Sequence, residues 1–274
     1  MKKMKIKVKK NNFDLKQTFM CGQCFRWKQS EDGGFSAIVA GKMITVTENE
    51  KEIVIESGHT RKFLEAYFDI NTDYAEYIKK FSADPTLRAA CEGSAGIRIL
   101  RQEPFETLIS FIISQNNNIP RIAGIIDRLC ESFGEKTDDG FTFPTAKRLR
   151  GITAEDLAPL RAGFRARYIA DAVSRINSGE IDFEEIDALP LVPARERLKQ
   201  IVGVGDKVAD CVLLFAFHKL GAFPQDVWVK RIMSEFYPSG LPECTKGAEG
   251  VAQQYLFDYV RNNGGLNARG KVSV

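Results

Sequence analysis

The sequence predicts an α+β protein in which an N-terminal antiparallel β-rich domain precedes a larger all-α domain. Polar and apolar residues alternate with a period of two up to about Ser57, and the period becomes helical from about Thr60. With 274 residues, 44% of them hydrophobic, the chain can build two packed units. We place the β-sheet domain with its flanking helices at residues 1–95 and the helical domain at residues 96–274.

Five candidate strands precede the first helical pattern. Asp32-Gly33-Gly34 predicts a hairpin and Gly41-Lys42 predicts a second turn. Because these connections are short, antiparallel pairing is favoured. The strands are expected at Ile6–Lys9, Phe25–Trp27, Phe35–Ala40, Met43–Glu48 and Glu52–Glu56.

The rest of the chain has helical periodicity, broken by a loop at Asp138-Asp139-Gly140. Nine helices are expected at Arg61–Phe68, Ala75–Phe81, Phe105–Ser114, Pro120–Phe133, Arg165–Ile176, Pro193–Ile201, Asp206–His218, Val227–Phe236 and Lys246–Asn262. Two shorter helical pieces are expected at Lys147–Gly151 and Ala154–Leu160.

Composition narrows the class of protein. No apolar run approaches the ~20 residues that span a membrane, and the N-terminus lacks the apolar segment of a secretory signal. The net charge of +3 permits nucleic-acid binding without requiring it, and the basic run MKKMKIKVKK fits a solvated strand edge. The two histidines disfavour a Ser-His-Asp site or a His-rich zinc site. We expect a cytoplasmic monomer, nucleoid-associated if prokaryotic, without metal or cofactor.

The six cysteines are scattered and are expected to be reduced thiols. Cys21 and Cys24 have the CxxC spacing of a redox or zinc pair, but no second Cys/His pair lies near them in the sequence. An iron–sulfur cluster needs four clustered cysteines, and the six cysteines of this chain do not form such a group in the sequence. The sequence therefore disfavours all three kinds of site.

The segment QIVGVGDKVADC, residues 200–211, lies between two helical patterns. It lacks the GxxxxGK[ST] spacing of a phosphate-binding loop, and Val208 stands where a dinucleotide fingerprint needs a small residue. A tight hairpin between two helices fits better, because Gly203 and Gly205 can take positive φ and approach a partner closely. The N–H groups at the start of the second helix could then bind a DNA phosphate. A corner between two helices without a ligand is the alternative.

Lys207 and Asp226 are the candidate catalytic pair. Lys207 lies in the first turn of the second helix, where partial positive charge favours a free amine, the form that a lysine nucleophile needs. Asp226 ends a proline-containing loop in FPQDVWVKRI, and a carboxylate beside a sugar can stabilise oxocarbenium-like charge. Alone, each has an ordinary explanation, since Lys207 could be an exposed lysine and Asp226 a helix N-cap.

Six segments together resemble the helix-hairpin-helix DNA glycosylase superfamily and, more narrowly, the 8-oxoguanine DNA glycosylase/AP lyase family. The resemblance extends from about Phe13 to Asn263 and is carried by CGQCFRW, FIISQNNNIPRI, AGFRARY, GVGDKVADC, PQDVWVKRI and AQQYLF. It implies a helix-hairpin-helix glycosylase domain whose C-terminal helix packs back on the pocket. It also implies excision of 8-oxoguanine, opposite cytosine, from double-stranded DNA in base excision repair.

The resemblance also implies roles for the catalytic pair and the base pocket. Lys207 would attack C1′ of the damaged nucleotide and form a Schiff base that supports β-elimination. Asp226 would assist this attack and stabilise charge on the sugar. The carbonyl of Gly22 would accept a hydrogen bond from N7–H, which 8-oxoguanine has and guanine lacks. Cys211, four residues after Lys207, would cover one face of the base. Gln253 and Phe257 are also four residues apart; Gln253 would bond the Watson–Crick edge and Phe257 would stack.

Four further residues would contact DNA. By the same resemblance, Asn116 fills the hole left by the flipped base, Arg121 reads the orphaned cytosine and Phe164 acts as a wedge. Without the resemblance, the QNNN run has the alternative explanation of a loop after a helix, since Asn tolerates the left-handed region, although three consecutive Asn residues disfavour it. Trp228 stands where relatives often carry a histidine near the phosphate, and Ser114-Gln115 also departs from the commoner pair.

Two other functions are compatible with these motifs. One is a glycosylase of the same superfamily for another damaged base, such as an alkylated purine. The other is a non-catalytic module that binds DNA through the hairpin alone. The presence of both Lys207 and Asp226 disfavours the second.

Overall fold

The computed structural model describes residues 4–262, apart from the side chain of Asn262. The first three residues of the basic run and the end of the predicted helical domain from residue 263, including the Asn263 limit of the resemblance, lie outside the described residues. Within residues 4–262, no helix is long and apolar enough to cross a membrane. The predicted α+β class is confirmed.

One antiparallel sheet of five strands, in the spatial order β1-β5-β4-β3-β2, forms the N-terminal unit of residues 4–57. Its strands are β1 (Met4–Lys9), β2 (Lys28–Gln29), β3 (Phe35–Val39), β4 (Lys42–Glu48) and β5 (Glu52–Ser57). Ile55 pairs with Ile6 on one side and with Val46 on the other, so that three buried side chains meet on one face of the sheet.

The predicted strand Phe25–Trp27 is wrong. Pairing with β3 begins only at Lys28, opposite Ser36. Trp27 instead enters the core beneath the sheet, where its ring stacks on Phe19 at 4.0 Å between centroids and its indole N–H donates to the Tyr67 hydroxyl at 3.0 Å. Burial of a large aromatic side chain with a satisfied N–H therefore prevails over the local alternation of polar and apolar residues.

Twelve α-helices are present in the described part of the chain. They are α1 (Leu15–Met20), α2 (Arg61–Tyr67), α3 (Tyr74–Phe81), α4 (Pro85–Ser94), α5 (Pro104–Ser114), α6 (Ile119–Phe133), α7 (Arg165–Ser178), α8 (Phe183–Ala188), α9 (Leu191–Leu198), α10 (Asp206–Phe215), α11 (Val227–Phe236) and α12 (Glu249–Asn262). All nine longer predicted helices appear: α11 has the predicted bounds, and the other eight differ at one or both ends. Helices α1, α4 and α8 were not predicted, although Asp14, Asp84 and Asp182 cap them with side-chain hydrogen bonds to first-turn N–H groups.

The two shorter helical predictions are wrong. Residues Lys147–Gly151 form consecutive turns, and Ala154–Leu160 contains only one turn of 3₁₀-helix at Ala158–Leu160. Segments this short fix many dihedral angles for few hydrogen bonds. The Asp138-Asp139 turn, predicted as a loop, joins two short strands, β6 (Lys136–Thr137) and β7 (Gly140–Phe141).

In the part of the chain that the structure describes, most buried apolar residues belong to one of two clusters. The smaller lies against the sheet and includes Phe19, Trp27 and Phe68. The larger lies among the helices, and Phe81 of α3 and Leu87 of α4 belong to it. Helix α4 also packs against α12. The domain boundary after residue 95 stays a prediction.

Candidate active site

A cavity of about 1100 Å³ lies where α5, α10, α11 and α12 approach the loop that follows α1. Ten of the twelve sequence-predicted site residues line it: Gly22, Asn116, Phe164, Gly205, Lys207, Cys211, Asp226, Trp228, Gln253 and Phe257. The other two, Arg121 and Gly203, do not line it, although their neighbours Pro120 and Tyr168 do. The fold thus brings together side chains that are separated by more than 200 positions in the sequence.

Lys207 occupies the first turn of α10 and is half-buried. Its Nζ donates a hydrogen bond to Oγ of Ser114 at 3.2 Å and lies 5.0 Å from the ring centroid of Phe111. Both of these contacts come from α5, on which α10 packs. The amine is therefore held at the wall of the cavity by α5.

The hairpin between α9 and α10 is built around Gly203. Its φ of +82° lies in the left-handed region, and a Cβ there would stand 2.4 Å from Cδ2 of Tyr168. Asp171 of α7 accepts a hydrogen bond from the N–H of Val202 at 2.8 Å, which ties the hairpin to α7. The predicted positive φ is confirmed for Gly203, which makes this position specific for glycine.

For Gly205 the predicted positive φ is wrong. Its φ is −99°, because it is the extended N-cap residue of α10. A Cβ at Gly205 would meet no protein atom within 4 Å. Since glycine has no side chain to cap α10, the free space in front of its first turn leaves N–H groups accessible to an anion.

Asp226 is half-buried at the start of α11. Its Oδ1 accepts a hydrogen bond from the N–H of Val229 at 2.8 Å, as the N-cap alternative anticipated. The carboxylate thus belongs both to a helix cap and to the cavity lining. The next two side chains, Val227 and Trp228, are exposed, and Trp228 keeps 46% of its surface accessible.

Cys211 lies one turn after Lys207 on α10 and is buried. Burial raises the pKa of its thiol to about 11. The Asp226 carboxylate also raises this pKa, whereas the neighbouring Lys207 amine lowers it. At neutral pH the group is therefore an uncharged thiol, which presents an apolar surface to the cavity. Lys207 of α10 and Asp226 at the start of α11 both influence this thiol, and both side chains line the cavity.

The opposite wall combines Gly22 with two residues of α12. Gly22 has a φ of +90°, and a Cβ there would lie 3.7 Å from Cε1 of Phe257 and 3.9 Å from Nη1 of Arg261. Gln253 is 4% exposed, and its Oε1 accepts a hydrogen bond from Nε2 of Gln254 at 2.7 Å. Gly22, Gln253 and Phe257 thus all belong to the lining of the cavity.

The loop between α5 and α6 forms the rim. Asn116 has a φ of +47°, in agreement with the left-handed conformation that Asn tolerates. The buried guanidinium of Arg165 donates to the carbonyl of Gln115 and, at 2.9 Å, to that of Asn116. Burial and the nearby charge of Arg121 lower the pKa of Arg165. Arg121 therefore lies close to this rim, and Arg165 fixes the backbone that carries Asn116.

Phe164, the predicted wedge, is 46% exposed and lies at the start of α7. Its ring is supported by the Arg165 guanidinium, 4.5 Å from the centroid, and by an edge-to-face contact with Tyr168 at 5.7 Å. A supported aromatic ring can enter a base step with little loss of conformational freedom.

Sequence reasoning did not assign roles to Ser114, Arg165, Tyr168 or Gln254. Tyr168 follows Phe164 by four positions on a helix, and this spacing alone indicates a shared face. Ser114 had no such signal, since its partner Lys207 lies 93 positions away.

Two known family models match successive parts of the chain. Residues 5–108 match the model for the N-terminal domain of 8-oxoguanine DNA glycosylase, and residues 109–246 match that for HhH-GPD superfamily base excision DNA repair proteins. A probable N-glycosylase/DNA lyase of Methanothermobacter thermautotrophicus is 32% identical over 96% of this chain and 98% of that protein. The N-glycosylase/DNA lyase of Saccharomyces cerevisiae is 31% identical over 85% of this chain and 70% of that protein.

Among solved structures, the 8-oxoguanine glycosylase/lyase of Clostridium acetobutylicum, in complex with double-stranded DNA containing cytosine opposite 8-oxoguanine, superposes with a TM-score of 0.87. It is 40% identical, and the match covers 93% of each chain. The two family models, the curated relatives and this structural match all point to one family. The chain therefore belongs to the 8-oxoguanine DNA glycosylase family, within the HhH-GPD superfamily of base excision DNA repair proteins.

Proposed function

We propose that the protein is a bifunctional DNA glycosylase/AP lyase that excises 8-oxoguanine opposite cytosine from double-stranded DNA. The observation that carries the proposal is the convergence of Lys207 and Asp226 on one cavity beside a helix-hairpin-helix motif. Its substrate class is supported by the relatives, which are N-glycosylase/DNA lyases, and by the Clostridium enzyme solved with 8-oxoguanine DNA. We further propose that the protein is a monomer in the cytoplasm, associated with the nucleoid if the source is prokaryotic.

Lys207 is the nucleophile of the proposed reaction. Its lone pair forms a bond to C1′ while the bond from C1′ to N9 breaks, and the base leaves with that electron pair and takes up a proton. The attached nitrogen loses a proton, and its lone pair then forms the C=N bond of a Schiff base while the C1′–O4′ bond breaks and O4′ takes up a proton. The Schiff base acidifies the C2′ hydrogen. Loss of that proton then expels the 3′ phosphate by β-elimination. The Asp226 carboxylate stabilises positive charge that develops on the sugar during attack.

The base pocket distinguishes the lesion from guanine. The Gly22 carbonyl accepts a hydrogen bond from N7–H of 8-oxoguanine, whereas the N7 lone pair of guanine would face that oxygen without a proton between them. Phe257 and the uncharged Cys211 thiol cover the two faces of the flipped base, and Gln253 bonds its Watson–Crick edge.

The rim holds the rest of the duplex. Asn116 fills the space that the flipped base leaves, and Phe164 enters the adjacent step and bends the DNA. Arg121 donates to the acceptors of the orphaned cytosine. The first turn of α10, behind Gly203 and Gly205, binds a backbone phosphate. Trp228, exposed beside Asp226, contacts the backbone near the flipped nucleotide.

Borohydride trapping tests the proposal. The wild-type protein is expected to form a covalent adduct with an 8-oxoguanine:cytosine duplex, because borohydride reduces a Schiff base to a stable amine. The Lys207→Gln variant should bind this duplex but give no adduct, excision or cleavage. Excision by that variant would refute the role of Lys207, and the absence of an adduct with the wild type would favour a DNA-binding module.

Substrate choice is tested with matched duplexes. Excision of an alkylated purine in preference to 8-oxoguanine would favour the alternative that the protein is a glycosylase of the same superfamily for another damaged base. Arg121→Ala is expected to lose on the order of tenfold or more of the preference for cytosine over adenine opposite the lesion. An unchanged preference would show that Arg121 does not read the orphaned base.

A further inference from the structure

Ser114 makes two hydrogen bonds with different roles. It is the last residue of α5, and its Oγ donates to the carbonyl of Phe111 at 2.8 Å. The same Oγ accepts a hydrogen bond from Nζ of Lys207 at 3.2 Å. A serine hydroxyl has one hydrogen and two lone pairs. Because the hydrogen is committed to the Phe111 carbonyl, Ser114 can offer the amine only a lone pair.

The direction of the Ser114 hydroxyl hydrogen matters because the Lys207 amine must attack with its lone pair. A hydroxyl with a free hydrogen would donate it to the lone pair of a neutral amine and so occupy the electrons that must attack C1′. The Ser114 hydroxyl cannot do so while it is bound to Phe111. A neutral amine that directs one N–H at Ser114 must also turn its lone pair away from α5.

The surroundings of the amine reinforce this orientation. The ring of Phe111, on the same helix one turn before Ser114, lies 5.0 Å from Nζ. The Cys211 thiol lies on the α10 side and is uncharged at neutral pH, because burial raises its pKa to about 11. The space not taken by α5 or α10 is the cavity that Lys207 lines.

We propose that Ser114 is a positioning residue for the nucleophile: by accepting a hydrogen bond from Lys207 while donating to the Phe111 carbonyl, it directs the amine lone pair into the cavity. The inference rests on the proposed role of Lys207. Ser114 itself forms and breaks no covalent bond in the reaction and acts only through the Lys207 amine. Its effect should therefore appear in the rate of Schiff-base formation and not in the affinity for the lesion.

Three variants test this role. Ser114→Ala removes the acceptor, and Ser114→Thr keeps a hydroxyl. Ser178→Ala is the matched control, because Ser178 is the last residue of α7 and donates to the carbonyl of Arg175, three residues earlier, at 2.9 Å. Adduct formation would be followed under single-turnover conditions with saturating enzyme and borohydride. Affinity would be measured on an 8-oxoguanine duplex made uncleavable by a 2′-fluoro sugar.

Ser114→Ala is expected to form adduct about tenfold more slowly, the equivalent of one hydrogen bond, with unchanged lesion affinity. Ser114→Thr should restore most of the rate, and Ser178→Ala should match the wild type in both measurements. An unchanged rate in Ser114→Ala, a loss of affinity that accounts for its slower rate, or a folded Ser114→Thr as slow as the alanine variant would overturn the inference. Absence of an adduct with the wild type would instead overturn the proposed function on which it rests.

Discussion

The carboxylate of Asp226 accepts a hydrogen bond from the backbone N–H of Val229 at 2.8 Å, so that a proposed catalytic group also caps α11. The two roles can be separated because Asn caps a helix as well as Asp but carries no charge. Asp226→Asn is expected to keep the free energy of unfolding while excision falls on the order of 100-fold. Asp226→Ala should lose the same activity and also about 1 kcal/mol of stability.

Urea unfolding and single-turnover excision of 8-oxoguanine would measure these effects. Equal destabilisation by Asn and Ala would show that the cap needs the charge. Near wild-type excision by Asp226→Asn would show that the reaction does not need the charged carboxylate.

Replacement of the two hairpin glycines by alanine is expected to destabilise the fold at Gly203 but not at Gly205. A Cβ at Gly203 would stand 2.4 Å from the Tyr168 ring at a φ of +82°, whereas a Cβ at Gly205 would meet no protein atom within 4 Å at a φ of −99°. Gly203→Ala is therefore expected to lose about 1–3 kcal/mol of stability. Gly205→Ala should fold normally but bind undamaged duplex more weakly, because its methyl group would stand in front of the first turn of α10.

Thermal unfolding and duplex affinity at fixed salt concentration would separate the two variants. If Gly205→Ala bound duplex DNA as tightly as the wild type, the start of α10 would not be a phosphate site.

Gly22→Ala should separate recognition of the base from chemistry at the sugar. At a φ of +90°, alanine would displace the backbone whose carbonyl is proposed to accept from N7–H, and its Cβ would press toward Phe257, 3.7 Å away. Excision of 8-oxoguanine is expected to fall on the order of 100-fold. Cleavage at a preformed abasic site needs no base contact and should stay within a few-fold of wild type.

Parallel assays on lesion and abasic duplexes would test this separation. Equal losses on the two duplexes would mean that Gly22 supports the fold of the cavity and does not read the base.

Buried thiols predict a loss of stability at alkaline pH. Burial raises the pKa of Cys21, Cys91 and Cys130 from 9.0 to about 12 and that of Cys211 to about 11. Between pH 9.0 and these raised pKa values, the folded state binds more protons than the unfolded state. The stabilisation is therefore complete below about pH 9 and is lost as the pH rises toward 11–12. Buried tyrosines such as Tyr67 act in the same direction.

Urea unfolding under reducing conditions between pH 8 and pH 11 would measure this decline. Cys130→Val, which removes one thiol at similar volume, should make the decline shallower. An identical pH dependence in the variant would contradict the assignment for Cys130.

Sequence alone determined the elements whose signals are local. The change from a period of two to a helical period gave the α+β class, since periodicity reflects which face of each element is buried. Gly203 marked the hairpin, because a left-handed turn followed by a helix requires particular residue types, and Lys207 was a candidate nucleophile in the first turn of that helix. Asp226 was recognisable for the same reason, as a capping residue after a proline-containing loop.

Tertiary structure decided the contacts between residues far apart in the sequence. No local pattern pairs Ser114 with Lys207, places the Tyr168 ring against Gly203 or directs the Arg165 guanidinium to the loop of Asn116. The same holds for Trp27, which was predicted in a strand but packs in an aromatic core against Phe19. Periodicity and turn chemistry specify the conformation of a segment, but the partner of a side chain depends on how whole elements pack, and that is settled only when the entire core is assembled.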